Sequence, residues 1–277
     1  MPVHPSSNSS WKELLAFPPS AAHVVQIYDS QDFLASAVGH YAAEGLQHGE
    51  AVLLFGTPAH LDGVRAELGR MGVDAAAASR RGQLVLNDVH AALAAMCPGG
   101  ALDGDLYDAI AGGALERVRA EPRFRGLRLW GETCNTLYHA GRREEALLTE
   151  ARGEALARKH GAALFCSFLC DKYDACGYGC LEDMCATHTH VIPADDYVRH
   201  RLAVNRAIAE VVGDIRGSLL QSLASWKGFA CDLPSSQAML FWLRETMPEH
   251  FEAVLARARD HHARHARRAR PASSQAS

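Results

Sequence analysis

The sequence predicts an α/β fold in which a mostly parallel sheet is covered by helices on both faces and followed by a C-terminal helical appendage. Three observations predict it. Short β-branched or apolar runs recur, separated by longer segments with helical spacing. The runs are continuously apolar rather than alternating, as in strands buried on both faces. From Pro193 onward the runs stop and only helical patterns remain. The expected organisation is a loose Pro/Ser-rich arm at 1–20, an α/β domain at 21–195, helices at 196–268 and a disordered tail at 269–277.

The first strand is expected at His23-Val24-Val25-Gln26-Ile27-Tyr28. Phe33, Leu34, Ala37, Val38, Tyr41 and Ala42 then repeat with the spacing of one helical face over 31–46. Gly45 and Gly49 lead into a second strand at Ala51–Phe55. Thr57 as N-cap and Pro58 as first helical residue open a helix that runs to about Gly72. Further strands are expected at Gln83–Asn87, Gly126–Trp130 and Ala162–Cys166, with helices near 104–120 and 142–159 between them. The connections should be right-handed crossovers. The appendage divides into helices near 195–225, 235–247 and 249–266.

A formal net charge of −4 over 277 residues gives no whole-molecule field that favours nucleic acid. No apolar stretch approaches the roughly 20 residues of a membrane span, and the N-terminus lacks the basic and apolar regions of a signal peptide. A cytoplasmic location is expected. The chain has no G-x-x-x-x-G-K-[ST], no G-x-G-x-x-G after the first strand, no H-E-x-x-H and no G-x-S-x-G. No nucleotide cofactor is therefore expected, and the chain reads as a regulator rather than an enzyme. Glu144 and Glu145, beside Arg142 and Arg143, read as a solvated helix face.

Ligands of open α/β sheets bind outside the carboxyl ends of the strands. Those ends present Tyr28-Asp29, Gly56-Thr57, Asn87-Asp88 and Gly131-Glu132. Asp29 or Ser30, Thr57 and Asp88 are also natural helix caps. Glu132 is harder to explain that way, because Thr133 could cap the next helix, so its carboxylate is a candidate for a polar ligand group or for fixing a loop.

Several stretches resemble the MEDS domain, a sensory domain named for methanogens, methylotrophs and the dichloromethane-dehalogenase repressor. They are His23–Tyr28 with Asp32-Phe33-Leu34, Glu44-Gly45-Leu46 with Gly49–Val52, and Thr57-Pro58-Ala59-His60. Leu129–Glu132, the Gly141–Leu148 helix entry, Leu164–Phe168 and Cys185–Pro193 complete the set, spanning roughly residues 20–195. The resemblance implies a fold related to RecA-like α/β domains and a sensor of small molecules, hydrocarbon derivatives among them. Such domains accompany helix-turn-helix or histidine-kinase modules, and neither is expected here. The candidate effector-binding residues are His23, Tyr28, Thr57 and Glu132.

Five of the eight cysteines fall within twenty residues, in the pattern Cys166-x3-Cys170-x5-Cys176-x3-Cys180-x4-Cys185-x2-His188-x-His190. Thiolate and imidazole donors suit zinc, copper(I) or an iron–sulfur cluster. Cys170, Cys176, Cys180, Cys185, His188 and His190 are the candidate ligands, although the spacing is not that of a C-x2-C knuckle. Cys166 reads as packing inside a buried strand. A thiol switch is less favoured, since Lys172 is the one nearby base that would activate a thiol.

The appendage is rich in apolar residues, which suit packing or a homodimer or partner interface. The Arg- and His-rich 257–270 run reads as a solvated helix end rather than a nucleic-acid contact. The leading expectation is a ligand-responsive regulatory protein that signals through its C-terminal helices or a partner. The alternative is a metal- or redox-responsive regulator using 166–190. A degenerate RecA-like enzyme ranks last, because the phosphate loop is absent.

Overall fold

A computed structural model describes residues 10–19, 22–175, 177–192, 196–224 and 233–269. The strands are β1 (His23–Tyr28), β2 (Ala51–Gly56), β3 (Leu84–Asp88), β4 (Leu127–Gly131), β5 (Ala163–Leu169) and β6 (His190–Ile192). The helices up to β4 are α1 (Ser10–Ala16), α2 (Gln31–Gln47), α3 (Pro58–Arg70), α4 (Ala75–Arg80), α5 (Val89–Met96), α6 (Gly104–Tyr107) and α7 (Gly113–Arg119). Then come α8 (Thr133–His139), α9 (Arg143–His160), α10 (Gly177–Thr187), α11 (Tyr197–Val212), α12 (Asp214–Ala224), α13 (Ser235–Thr246) and α14 (Pro248–Ala269). None of them is long and apolar enough to cross a membrane, among the described residues.

All six strands are parallel, in the order β3-β2-β4-β5-β1-β6. This is the expected α/β architecture. The strand β6 was not expected; it is three residues long, too short to stand out as an apolar run, and it pairs with Val24–Gln26. Expected caps start the helices: Ser30 accepts from Phe33 N, Thr57 from His60 N with Pro58 at the first position, and Asp88 from His90 N.

Two compact units form. One contains the described residues up to Leu169 together with Thr187–Ile192; the other contains the described residues of 170–186 and 193–277. On one face of the sheet, Val24, Val52, Leu54, Leu84, Trp130 and Phe165 pack with Leu34, Val38, Tyr41, Val64 and Leu68 of α2 and α3. The opposite face carries α5, α8, α9 and the segment between α6 and α7. That segment, Asp108–Gly112, is a π-helical turn inside what sequence periodicity reads as one helix.

Residues 10–16 depart from the expected loose arm. They form α1, whose Trp11 and Leu15 are buried in the main core. Arg128, on β4, explains why the helix stays: its guanidinium is buried, donates to Leu15 O (2.7 Å), Ala16 O (2.8 Å) and Tyr41 O (3.0 Å), and pairs with Glu50. It satisfies carbonyls that a helix end leaves open.

In the second unit, Tyr178 of α10 is buried edge-on against Phe241 and Phe251, with ring centroids 5.5 and 5.1 Å away. This aromatic contact holds α10 to α13 and α14, and the described residues of 170–186 group with the helices, ahead of the boundary expected at 195. His200 is buried and shares a 2.9 Å hydrogen bond with Ser236 Oγ. The helix expected at 195–225 is split at Gly213, whose φ of +86° ends α11. The tail expected beyond Ala269 lies outside the described residues.

Candidate functional site

Two polar clusters occupy the sheet domain. The first lies at the carboxyl ends of β1, β2 and β4. Glu132 follows β4 directly, and its side chain is fully buried. It accepts from the Thr57 backbone N–H at 3.1 Å, from the Tyr28 hydroxyl at 3.4 Å and from His60 Nδ1 at 2.7 and 2.8 Å. Thr57 heads α3, so the carboxylate also meets the positive end of a helix. Burial, and then the Glu132 charge beside it, push the Tyr28 phenol well above its ordinary range. Glu132 thus ties three strand ends together. Of the four candidate effector residues the structure joins Tyr28, Thr57 and Glu132 here; sequence reasoning missed His60, three residues into the helix that Thr57 caps.

His23 sits elsewhere, at the opposite end of β1, and belongs to the second cluster. Parallel pairing sets His23 beside Leu164 and Val25 beside Cys166, so His23 and Cys166 share a sheet face. Thr189 pins the chain ahead of β6 to the start of β1: its N–H and hydroxyl donate to His23 O at 2.8 and 2.9 Å, and its Oγ1 accepts from His23 N at 3.0 Å. That brings His188 onto His23, with ring centroids 3.8 Å apart. Above them α9 buries Ala146, Thr149, Glu150, Gly153, Leu156 and Ala157 as one stripe, which places a carboxylate among small apolar residues.

Glu150 Oε2 is 3.2 Å from His23 Nε2, 3.5 Å from His188 Nε2 and 3.5 Å from Cys166 Sγ, and His23 Nε2 is 3.4 Å from Cys166 Sγ. All four side chains are buried. Burial alone would raise the Glu150 carboxyl, but His188 and His23 outweigh it and hold its pKa down to about 2. Burial, followed by the Glu150 charge, pushes the Cys166 thiol up.

Glu150 and Cys166 also line a cavity between the sheet and its second helical layer. It is half open to the outside, and its space amounts to about 510 Å³ only when the adjoining open solvent is included. Phe55, Leu129, Gly131 and Leu164 of the sheet, Met96 of α5, Tyr107 and Ala111 at the π-helical turn, and Thr133, Cys134, Thr149 and Gly153 form the rest of the wall. Tyr107 donates to Thr149 O at 3.3 Å, closing one side. π-helical turns recur at functional sites, where they re-aim side chains. The arrangement offers a small apolar chamber with an acid and a thiol in its wall, both within reach of the buried His23 and the acid within reach of His188 behind that wall.

Of the candidate metal ligands, His188 enters this cluster. Cys170 and Cys185 are buried cysteines of the second unit, and His190 Nδ1 lies 2.8 Å from Thr189 Oγ1. Cys176 and the side chain of Cys180 lie outside the described residues. The grouping of His23, Glu150, Cys166 and His188 is the one set of potential ligands that converges among the described residues. Sequence reasoning missed Glu150, although an acid on an apolar helical stripe is a readable signal.

An all-parallel sheet wrapped by helices, with polar clusters at both ends of β1 and a helical unit after it, defines the class as an α/β domain with a helical partner unit. Residues 22–189 match the family described as MEDS, the MEthanogen/methylotroph, DcmR Sensory domain. The chain belongs to this sensory-domain family. No curated protein and no solved structure matches it.

Proposed function

We propose that the protein is a sensory regulator whose MEDS domain binds a small, mostly apolar organic effector in the chamber between the sheet and α5, α8 and α9. The observation that carries this reading is the composition of the chamber: apolar and aromatic walls with a few convergent polar groups at one end, the usual make-up of a small-molecule site. Membership of a sensory family supports it. An effector with a short hydrocarbon body and one hydrogen-bonding group suits walls of Phe55, Met96, Leu129 and Leu164 beside the Thr133 and Thr149 hydroxyls.

Binding rather than turnover is the proposed role. The strand-end carboxylate, Glu132, is engaged by Tyr28, Thr57 and His60, so it stabilises the domain instead of waiting for a substrate. Effector binding changes the output only through different affinities for two states. The π-helical turn and the helical unit are the proposed responding elements; α12 exposes Ile215, Leu219 and Leu223 along one side, which suits a signalling contact.

The test is a thermal-shift screen of short-chain alcohols, amines, thiols and carboxylates against the full chain. At least one compound should stabilise it, and the response should vanish in Ala111→Phe and in Thr133→Met, which fill the chamber from two sides. A screen without any stabilising compound, or a response that survives both substitutions, would overturn the proposal.

A further inference from the structure

The buried His23–Glu150–Cys166–His188 cluster has the form of a metal site. Four ligands held at about 2.0–2.3 Å around a tetrahedral ion lie about 3.3–3.6 Å from one another. Four of the six separations among His23 Nε2, His188 Nε2, Glu150 Oε2 and Cys166 Sγ run from 3.2 to 3.5 Å. All ligand atoms fall within 4.8 Å of one another. A packed core has no reason to point four such donors at one spot.

Charge leads to the same conclusion. A carboxylate and a thiolate with two neutral imidazoles carry two negative charges, and a divalent cation makes the centre neutral in a medium where net charge is costly. The mixed nitrogen, oxygen and sulfur set suits a borderline ion such as zinc over magnesium or calcium, which take oxygen ligands. We propose that His23, Glu150, Cys166 and His188 hold one divalent transition-metal ion of the zinc class, buried behind the Glu150 and Cys166 wall of the chamber. Binding releases the Cys166 proton to solvent and leaves both imidazoles neutral. The ligands come from β1, α9, β5 and the turn before β6, so the ion would staple four segments distant in sequence. The site does not depend on an effector occupying the chamber.

The experiment uses the full chain, stripped with a chelator and titrated with zinc or cobalt(II). Expected are one equivalent of bound metal and, with cobalt, tetrahedral visible bands plus near-ultraviolet charge transfer of a single thiolate. Cys166→Ala and the near-isosteric Glu150→Gln should lose the bound equivalent, while the Cys176→Ser/Cys180→Ser double variant should keep it. Should the first two misfold, the cobalt spectrum of the unsubstituted chain decides. No metal uptake, a spectrum showing two or more thiolates, or metal lost from the double variant but kept by Cys166→Ala would overturn the assignment.

Discussion

Glu132→Ala tests whether the strand-end carboxylate is a structural tie. The substitution takes the acceptor from the Thr57 N–H (3.1 Å) and the Tyr28 hydroxyl (3.4 Å), and the hydrogen-bond partner from His60 Nδ1. A donor left without a partner away from water costs about 1–3 kcal/mol. The Tyr28 bond is long and sits at the low end of that range, and the His60 ring, 16% exposed, recovers water. The sum is about 2–4 kcal/mol, against Glu132→Gln at about 1–2 kcal/mol, since the amide keeps an acceptor for the Thr57 N–H. Urea denaturation followed by circular dichroism should rank the stabilities wild type, then Gln, then Ala. If the carboxylate were instead reserved for a ligand, removing it would relieve a buried charge. An Ala variant within about 0.5 kcal/mol of wild type, the range of an inconsequential surface change, would refute the reasoning.

Arg128→Met should free α1 by leaving the Leu15 and Ala16 carbonyls and Glu50 without their cation. A loss of about 3–5 kcal/mol is expected for a broken buried pair, with hydrogen exchange accelerated at 10–16 ahead of the rest of the domain. Gly56→Ala would place a methyl 2.5 Å from a ring carbon of the buried Trp130. It should cost about 1–3 kcal/mol by overpacking and shift the tryptophan emission. Acid should destabilise the helical unit early. Burial first, then the Lys172 ammonium, depress the His200 pKa from 6.5 to about 3. Below 6.5 the unfolded chain therefore takes up a proton that the folded chain refuses, and stability falls by about 1.4 kcal/mol per pH unit. A His200→Gln variant should flatten the slope between pH 6.5 and 4.5, and an unchanged slope would assign it to other groups.

Strands β1 to β5 were legible because each is a nearly unbroken apolar run, and Ser30, Thr57 and Asp88 were legible as caps because their hydroxyl or carboxylate precedes a helical pattern. The helix α1 was not, since Trp11 and Leu15 give too few apolar positions to show a period; what fixes it is Arg128, more than a hundred residues away. The Glu132 cluster was half legible, by the rule that strand ends in parallel sheets collect functional groups. The His23–Glu150–Cys166–His188 cluster was not, because it depends on strand order. Nothing local announces that β5 lies beside β1, or that Thr189 fastens to His23. The density of cysteines at 166–190 drew attention to neighbours in sequence, whereas the converging set takes two residues from that segment and two from elsewhere. Glu150 was visible in principle: an acid at a position flanked by Ala146, Gly153 and Ala157 on one helical stripe must be buried and therefore paired.

The central claim is that the chamber beneath α9 admits a small apolar molecule, and methyl-resolved NMR tests it most directly. Labelled Met96, Ala111, Leu129 and Leu164 methyls should move together as a short-chain alcohol or amine is titrated in, with saturation, while methyls of Leu34, Val64 and Leu68 on the other face of the sheet stay still. Shifts confined to that other face or to the helical unit, or none at any concentration the fold tolerates, would contradict the account.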